Sequence, residues 1–236
     1  MTDFESKLEI KFETETAGAE ERDHRTVAVV HAGLGQPSST RLLADRLADA
    51  TVRELEALGQ DVTVEVVELR DHGHAIIDAM LTGFPTGDLA RAIETITQAD
   101  AVIAVTPLFT TTYSGLFKSF VDILDKEALT GMPVLLGATG GTPRHSLALE
   151  YSLRPLFTYL RADVVTTSVF AATDDWAQAA GTGHDDGGSS LPQRIERAGR
   201  SLATLVFSRG EHAKPADPFA STPSFLDMLG GDRGSN

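Results

Sequence analysis

Five short, mostly apolar runs, each followed by a stretch of helical periodicity, constrain this chain more than any other feature. The runs are Thr26–Val30, Val62–Leu69, Ala101–Thr106, Val134–Ala138 and Val164–Ala171. Runs of this length, with little alternation, are how strands read when both faces of the sheet are covered. After the first run, Leu43, Leu47, Ala50, Leu55 and Leu58 recur at helical steps, and Gly59 ends the pattern as a C-cap does. Asp71–Met80 and Asp88–Gln98 follow the second run, around a break at Thr82-Gly83-Phe84-Pro85. Phe117, Phe120, Val121 and Leu124 give the next helix its apolar face, and residues 144–161 read as helical despite Pro155. Ile195, Ala198, Leu202, Leu205 and Val206 mark the last helix. Alternating strands and helices imply a parallel sheet with helices on both faces, because parallel neighbours need a crossover between them. The expected fold is α/β, a three-layer sandwich with a five-stranded parallel sheet in the order 2-1-3-4-5. An eight-unit barrel needs more strand–helix units than this chain has.

Residues 25–208 form the expected domain. Residues 1–24 are rich in Glu, Thr, Asp and Ala and read as a disordered acidic tail. Residues 209–236 read as a C-terminal tail whose Pro218-Phe219 and Phe225–Leu229 segments are apolar enough to dock on this subunit or a neighbour. Thr173–Pro192, rich in Gly, Asp and Ser, reads as a mobile surface loop. The 236 residues carry 20 basic and 34 acidic side chains, a formal charge of −14. Such a field repels polyanions, so no nucleic-acid partner is expected, and an anionic ligand needs local donors. The chain has no cysteine, which removes disulfides, thiolate catalysis and cysteine-ligated metals. The first 25 residues lack the apolar core of a signal peptide, and no apolar stretch reaches membrane-spanning length. A cytoplasmic location and no membrane contact are therefore expected.

Three strand-end loops look built for one ligand at the carboxyl edge of the sheet, where open α/β folds bind theirs. The first, Ala32–Arg41, places Ser38, Ser39 and Thr40 at a helix N-terminus. There the unpaired N–H groups and the helix dipole favour an anion, although simple N-capping explains the same residues. The loop has neither the Lys of a nucleotide-triphosphate loop nor the third glycine of a dinucleotide loop, so a single terminal phosphate fits better. The second, Pro107–Lys118, begins with a proline that has no N–H to continue the ladder, so the chain is expected to turn there. Its Phe109 and Tyr113 rings suit a planar heterocycle or, equally, the filling of the sheet's end. The third, Ala138–His145, carries Gly140-Gly141, which lets backbone N–H groups approach a ligand or makes a tight turn. Asp71-His72-Gly73-His74 lacks the spacing and further ligands of a metal site, so none is expected.

At these residues the chain resembles the NADPH-dependent FMN reductase family of the flavodoxin-like fold, over Thr26–Phe207. The shared motifs are Gly-x-x-x-Pro-Ser-Ser-Thr, Thr-Pro-x-x-x-x-x-Tyr-Ser-Gly-x-Phe-Lys and Thr-Gly-Gly-x-x-x-His, in the family's order. The resemblance implies that Ser38, Ser39 and Thr40 bind the FMN phosphate. It implies that Pro107, Leu108, Phe109, Thr110, Tyr113 and Ser114 line the isoalloxazine and ribityl chain. Thr139, Gly140 and Gly141 would lie at the pyrimidine end, with His145 as a further cofactor contact. Phe109 stands where many members have Tyr. Ala148–Leu156 is similar to the helix that, in reductases of two-component monooxygenase systems, carries a tyrosine and a π-bulge at the subunit interface. Tyr151 is the equivalent residue here, and Pro155 independently predicts a disturbed helix.

The implied activity is hydride transfer from NAD(P)H to FMN N5, supplying reduced flavin to a partner flavin-dependent monooxygenase. NADPH is the expected donor, with NADH as the alternative because no Arg pair for a 2′-phosphate is visible. The flavin supplies the chemistry, so no catalytic side chain is assigned. A homodimer or homotetramer is expected. Three alternatives stay open: a reductase of quinone, azo or chromate acceptors with bound FMN, a non-enzymatic flavodoxin-like electron carrier, and a flavin-binding interaction module without activity. The carrier reading lacks the usual Gly-Asn-Thr phosphate-loop ending.

Overall fold

In the computed structural model, residues 24–179 and 189–209 are described. Of the expected tails at 1–24 and 209–236, His24 is described and opens the first strand and Arg209 is described just after the last helix; the rest lie outside the described residues, as does 180–188 within the Gly-rich loop. The sheet begins with β1 (His24–His31), β2 (Asp61–Glu68) and β3 (Ala101–Phe109), and continues with β4 (Thr112–Tyr113), β5 (Pro133–Gly140), β6 (Asp163–Val164) and β7 (Val169–Ala172). Its order is β2-β1-β3-β5-β6, with β7 also parallel to β5 and β4 antiparallel to β3. The expected order of the parallel sheet stands, with seven strands instead of five.

The two extra strands have separate causes. β1 ends where His31 pairs with Val105, so β3 beyond that point has only β5 as its parallel neighbour. A residue without an N–H is tolerated there. The chain therefore does not turn at Pro107, as expected from sequence, but runs on to Phe109 and folds back as β4. The fifth expected strand is interrupted between Val164 and Val169. Its carbonyls there turn away from the ladder to Arg154, which donates to Val165 O at 3.0 Å and Thr166 O at 3.2 Å.

Period-two alternation sends the strand side chains into two cores. Val27, Val29, Ile103 and Leu135 pack under α1 (Ser39–Ala57) and α7 (Leu191–Ser208). Val30, Val102 and Leu136 pack under α2 (Gly73–Thr82), α3 (Gly87–Gln98) and α4 (Gly115–Asp122). One contact sets how closely the two helices over the first core approach. A Cβ on Gly199 would stand 2.8 Å from the Ala50 backbone, so α1 and α7 cross on this glycine. Gly59 follows α1 with φ +84°, as its C-cap reading requires.

The expected helix 144–161 is three pieces: a 3₁₀ turn at Pro143–His145, a π-helix at Leu149–Leu153, and α5 (Arg154–Tyr159). Pro155 follows directly on the π-helical turn, in a run whose backbone stays right-handed helical through Leu153 and Arg154, so the helix is disturbed where the proline removes an N–H. The expected loop from Thr173 begins instead as a helix, α6 (Thr173–Ala179), with Asp174 and Asp175 in its first turn where the helix dipole favours them. Among the described residues no helix is long and apolar enough to cross a membrane.

Candidate functional site

The loops after β1, β3 and β5 converge on one cleft of about 460 Å³ at the carboxyl ends of the strands. Each wall follows from its local sequence. Ser38 caps α1: its hydroxyl accepts the Arg41 N–H at 3.1 Å, leaving the hydroxyl's own hydrogen free to donate. Gly33 allows this, because a Cβ there would lie 2.2 Å from Ser38 Oγ. Thr40, buried at the base of the cleft, shares a 2.8 Å hydrogen bond with Thr139. That bond ties the first loop to the third across β3.

The second wall is Pro107, Leu108 and Phe109, with the Phe109 ring half exposed at the rim. It is held by a two-residue hairpin in which Thr110 (φ 50°) and Thr111 (φ 74°) both take left-handed backbone. Two-residue hairpins of this kind prefer Asn-Gly, and β-branched residues there are strained. The third wall is Thr139–Gly141. Its two glycines differ. A Cβ on Gly140 would strike the Phe170 ring at 2.9 Å, whereas one on Gly141 would meet nothing within 4 Å. Gly140 serves packing, while Gly141 faces open space.

Ser38, Ser39, Thr40, Pro107, Leu108, Phe109, Thr139, Gly140 and Gly141 thus come together in this cleft. Thr110, Tyr113, Ser114 and His145 do not line it. Thr110 is at the hairpin tip. The Tyr113 ring packs 6.4 Å from Phe117 against the core, and Ser114 is buried as the N-cap of α4, accepting the Phe117 N–H at 3.2 Å. His145 ends the 3₁₀ turn beside the third loop. Lys118 is paired with Asp122 at 2.5 Å. Two lining residues were not singled out from sequence: Thr173 and Trp176, in the turn after β7. Extending the strand-end argument to the last strand would have found them.

Beneath the first loop sits His31, 1% exposed, with both ring nitrogens lacking a hydrogen-bond partner and the Glu68 carboxylate 4.0 Å away. Burial pushes its pKa down from 6.5 to about 4, and the Arg41 guanidinium acts in the same direction. Arg41 itself is paired with Glu68 and Asp45. Arg70 donates to Leu34 O at 3.5 Å. These arginines brace the loop. A larger cleft, about 560 Å³, lies by β6, but its Arg154 is fully engaged with Glu150, Ser168 and backbone carbonyls.

Such a cleft offers unpaired N–H groups and hydroxyls at one end and a flat apolar edge at the other. Comparison with known proteins is consistent with that division. The description NADPH-dependent FMN reductase matches residues 25–177. The FMN reductase (NADPH) of Pseudomonas aeruginosa is 31% identical over 192 residues, covering 80% of this chain and 97% of its own. The NADH-dependent FMN reductase SfnF of Pseudomonas putida is 32% identical over 152 residues, 64% of this chain and 80% of its own. An oxidoreductase from Corynebacterium diphtheriae superposes with a TM-score of 0.72 at 42% identity, covering 78% of this chain and 98% of that one. The apo form of an NADH:FMN oxidoreductase, EmoB, does so with a TM-score of 0.62 at 25% identity, covering 82% and 92%. The match of the family description to residues 25–177, over strands, loops and cleft alike, shows that this chain belongs to the NADPH-dependent FMN reductase family.

Proposed function

We propose that the chain is an NAD(P)H:FMN oxidoreductase that supplies reduced flavin to a partner flavin-dependent monooxygenase. The observation that carries this reading is the convergence of three strand-end loops on one cleft, two of them locked by the Thr40–Thr139 hydrogen bond. The donor set fits FMN. Ser38, Ser39 and Thr40 take the phosphate with the first N–H groups of α1, an anion site built without a lysine. Pro107–Phe109 lie along the ring system. Backbone N–H groups of Thr139–Gly141 would face its pyrimidine edge, where they could stabilise negative charge on a reduced ring. Tyr113 and Ser114 act from behind, holding α4 and the hairpin in place. Bound flavin supplies the redox chemistry, accepting hydride at N5 from the nicotinamide. No side chain has to move a proton in that step.

The partner enzyme is part of the proposal, as is a homo-oligomer. Leu147, Tyr151 and Tyr159 are 62%, 78% and 75% exposed on and beside the π-helical segment. Apolar rings standing this far out of one protomer suit burial against another copy. The test is NAD(P)H oxidation by purified protein while free FMN is titrated, with retained flavin quantified beforehand. Saturable dependence on added FMN with little flavin retained is the expected result. Activity independent of added FMN, with about one flavin retained per chain, would transfer the reading to a bound-cofactor reductase with another acceptor. No oxidation in either case would refute the enzyme.

A further inference from the structure

The cleft has a fourth wall to which the family motifs assign nothing. Trp176, the single tryptophan of the chain, lines it together with Thr173. The residue before it is fixed. The Asp175 carboxylate accepts the Ala172 N–H at 2.7 Å and pairs with Arg194, which also donates to Phe170 O at 2.5 Å. The ring packs against the core under α1 and α7, and the Arg46 guanidinium lies 5.1 Å from its centroid. Arg46 makes no ion pair among the described residues, so the indole is its recorded partner. Nor does the indole N–H have an acceptor among them.

The position along α1 says which end of the cleft this is. Arg46 follows Ser39 by seven residues, which returns a helix to nearly the same face about 10 Å further along its axis. Trp176 therefore stands beside the first turns of α1, at the end where the unpaired N–H groups and Ser39 are. Phe109 closes the opposite end. An indole here offers a flat apolar side to a carbon chain and an N–H to an oxygen.

We propose that Trp176 is a flavin-binding residue that closes the ribityl-phosphate end of the cleft, with Arg46 as the positioning residue that holds its ring. This rests on the reading of the cleft as an FMN site. Bound flavin then touches a surface from all four strand-end loops, and the fourth is tied to α7 through Arg194 and Asp175. An aromatic wall at the phosphate end should discriminate FMN from riboflavin more than it affects the ring system itself.

Equilibrium dialysis of FMN and riboflavin against wild type, W176F and W176A tests this. Dialysis is the right readout, because an indole anywhere in a domain this size transfers energy to a flavin and is quenched without contact. In W176A the Kd for FMN should rise about tenfold and the Kd for riboflavin distinctly less, an aromatic contact of ordinary strength. W176F, which keeps the apolar side but loses the N–H, should bind riboflavin nearly as wild type does and stay about fivefold weaker than wild type for FMN. R46Q should weaken FMN binding in the wild-type background and have no further effect in W176A, since Arg46 acts through the ring. Thermal melting of each variant separates lost affinity from lost folding. Wild-type FMN affinity in folded W176A overturns the proposal and leaves the FMN reading standing. An equal loss for FMN and riboflavin overturns the placement at the phosphate end. Failure of the wild type to bind either flavin overturns the FMN reading and this proposal with it.

Discussion

His31 should make stability depend on pH well above the range where carboxylates titrate. The imidazole is 1% exposed, neither nitrogen has a hydrogen-bond partner, and its pKa is pushed down from 6.5 to about 4. Above about pH 6.5 the ring is neutral in the folded and the unfolded chain, and its full contribution to stability is present. Below that, the unfolded chain binds a proton that the folded chain refuses. Stability falls until about pH 4, where the folded ring takes its own proton. At about 1.36 kcal/mol per pKa unit the whole window amounts to about 3 kcal/mol, of which about 2 kcal/mol is gone by pH 5. The comparison is His31→Leu, which keeps a similar volume and removes the two unpaired nitrogens. At pH 7.5 that variant should match wild type within about 1 kcal/mol, since replacing unsatisfied buried polar atoms costs little. Urea unfolding of both proteins at several pH values between 7.5 and 5 gives the test, because the difference between them cancels every other titrating group. The wild type should lose about 2 kcal/mol relative to the variant across that range. Parallel profiles would refute the reasoning and mean that His31 takes a proton in place, with Glu68 at 4.0 Å as its counter-ion. FMN affinity should fall in the same window, because the loop Ala32–Arg41 begins at the next residue and Arg41 stands close enough to act on this ring.

Three substitutions probe the backbone that builds the cleft. Gly33→Ala pushes a methyl against Ser38 Oγ and should cost about 1 kcal/mol through the lost α1 cap, with a drop in FMN affinity larger than the stability change implies; chemical unfolding and dialysis measure the two separately. Thr111→Gly relieves a β-branched residue at φ 74° and should raise stability by about 1 kcal/mol in the same unfolding assay, with any loss of FMN affinity reporting the role of the strained hairpin. Gly199→Ala drives a Cβ to 2.8 Å from the Ala50 backbone and should destabilise by about 1–3 kcal/mol, lowering the melting temperature without changing FMN affinity in the folded fraction.

The parallel sheet was readable because its strands are buried on both faces, and Val27–Val30 or Ala101–Thr106 have no other plausible use. The departures all come from contacts distant in sequence. Nothing near Pro107 tells that β1 stops at His31, yet that is what lets β3 continue to Phe109. Nothing near Val165–Ser168 tells that Arg154 will take the carbonyls of the break. That Ser38–Thr40 and Gly140-Gly141 line one cleft was legible because hydroxyls at a helix N-terminus and paired glycines at a strand end are distinctive residue types; their use toward a ligand is part of the proposal. Tyr113 and Ser114 belong to the same motif yet turn inward, to Phe117 and to the cap of α4, a distinction only packing makes. Trp176 escaped because the segment around it is rich in Gly and Asp, and Asp174 and Asp175 were read as loop residues when they start a helix.

The same packing explains how an acidic chain presents a phosphate site. Of its cations near the first loop, Arg41 is committed to Glu68 and Asp45, and Arg70 to Asp71 and the carbonyl of Leu34. Neither is free to neutralise a phosphate outright, and Arg46, two turns along α1, lies over the Trp176 ring. In the proposed site the anion would be met instead by neutral donors, the first N–H groups of α1 and the hydroxyls of Ser38, Ser39 and Thr40, inside a molecule of net charge −14. Neutral donors give direction and discrimination but less Coulombic hold than an arginine clamp. A dianion held in this way is positioned well and released readily. That balance supports the proposal of a flavin that arrives oxidised and leaves reduced, over one retained for the life of the protein.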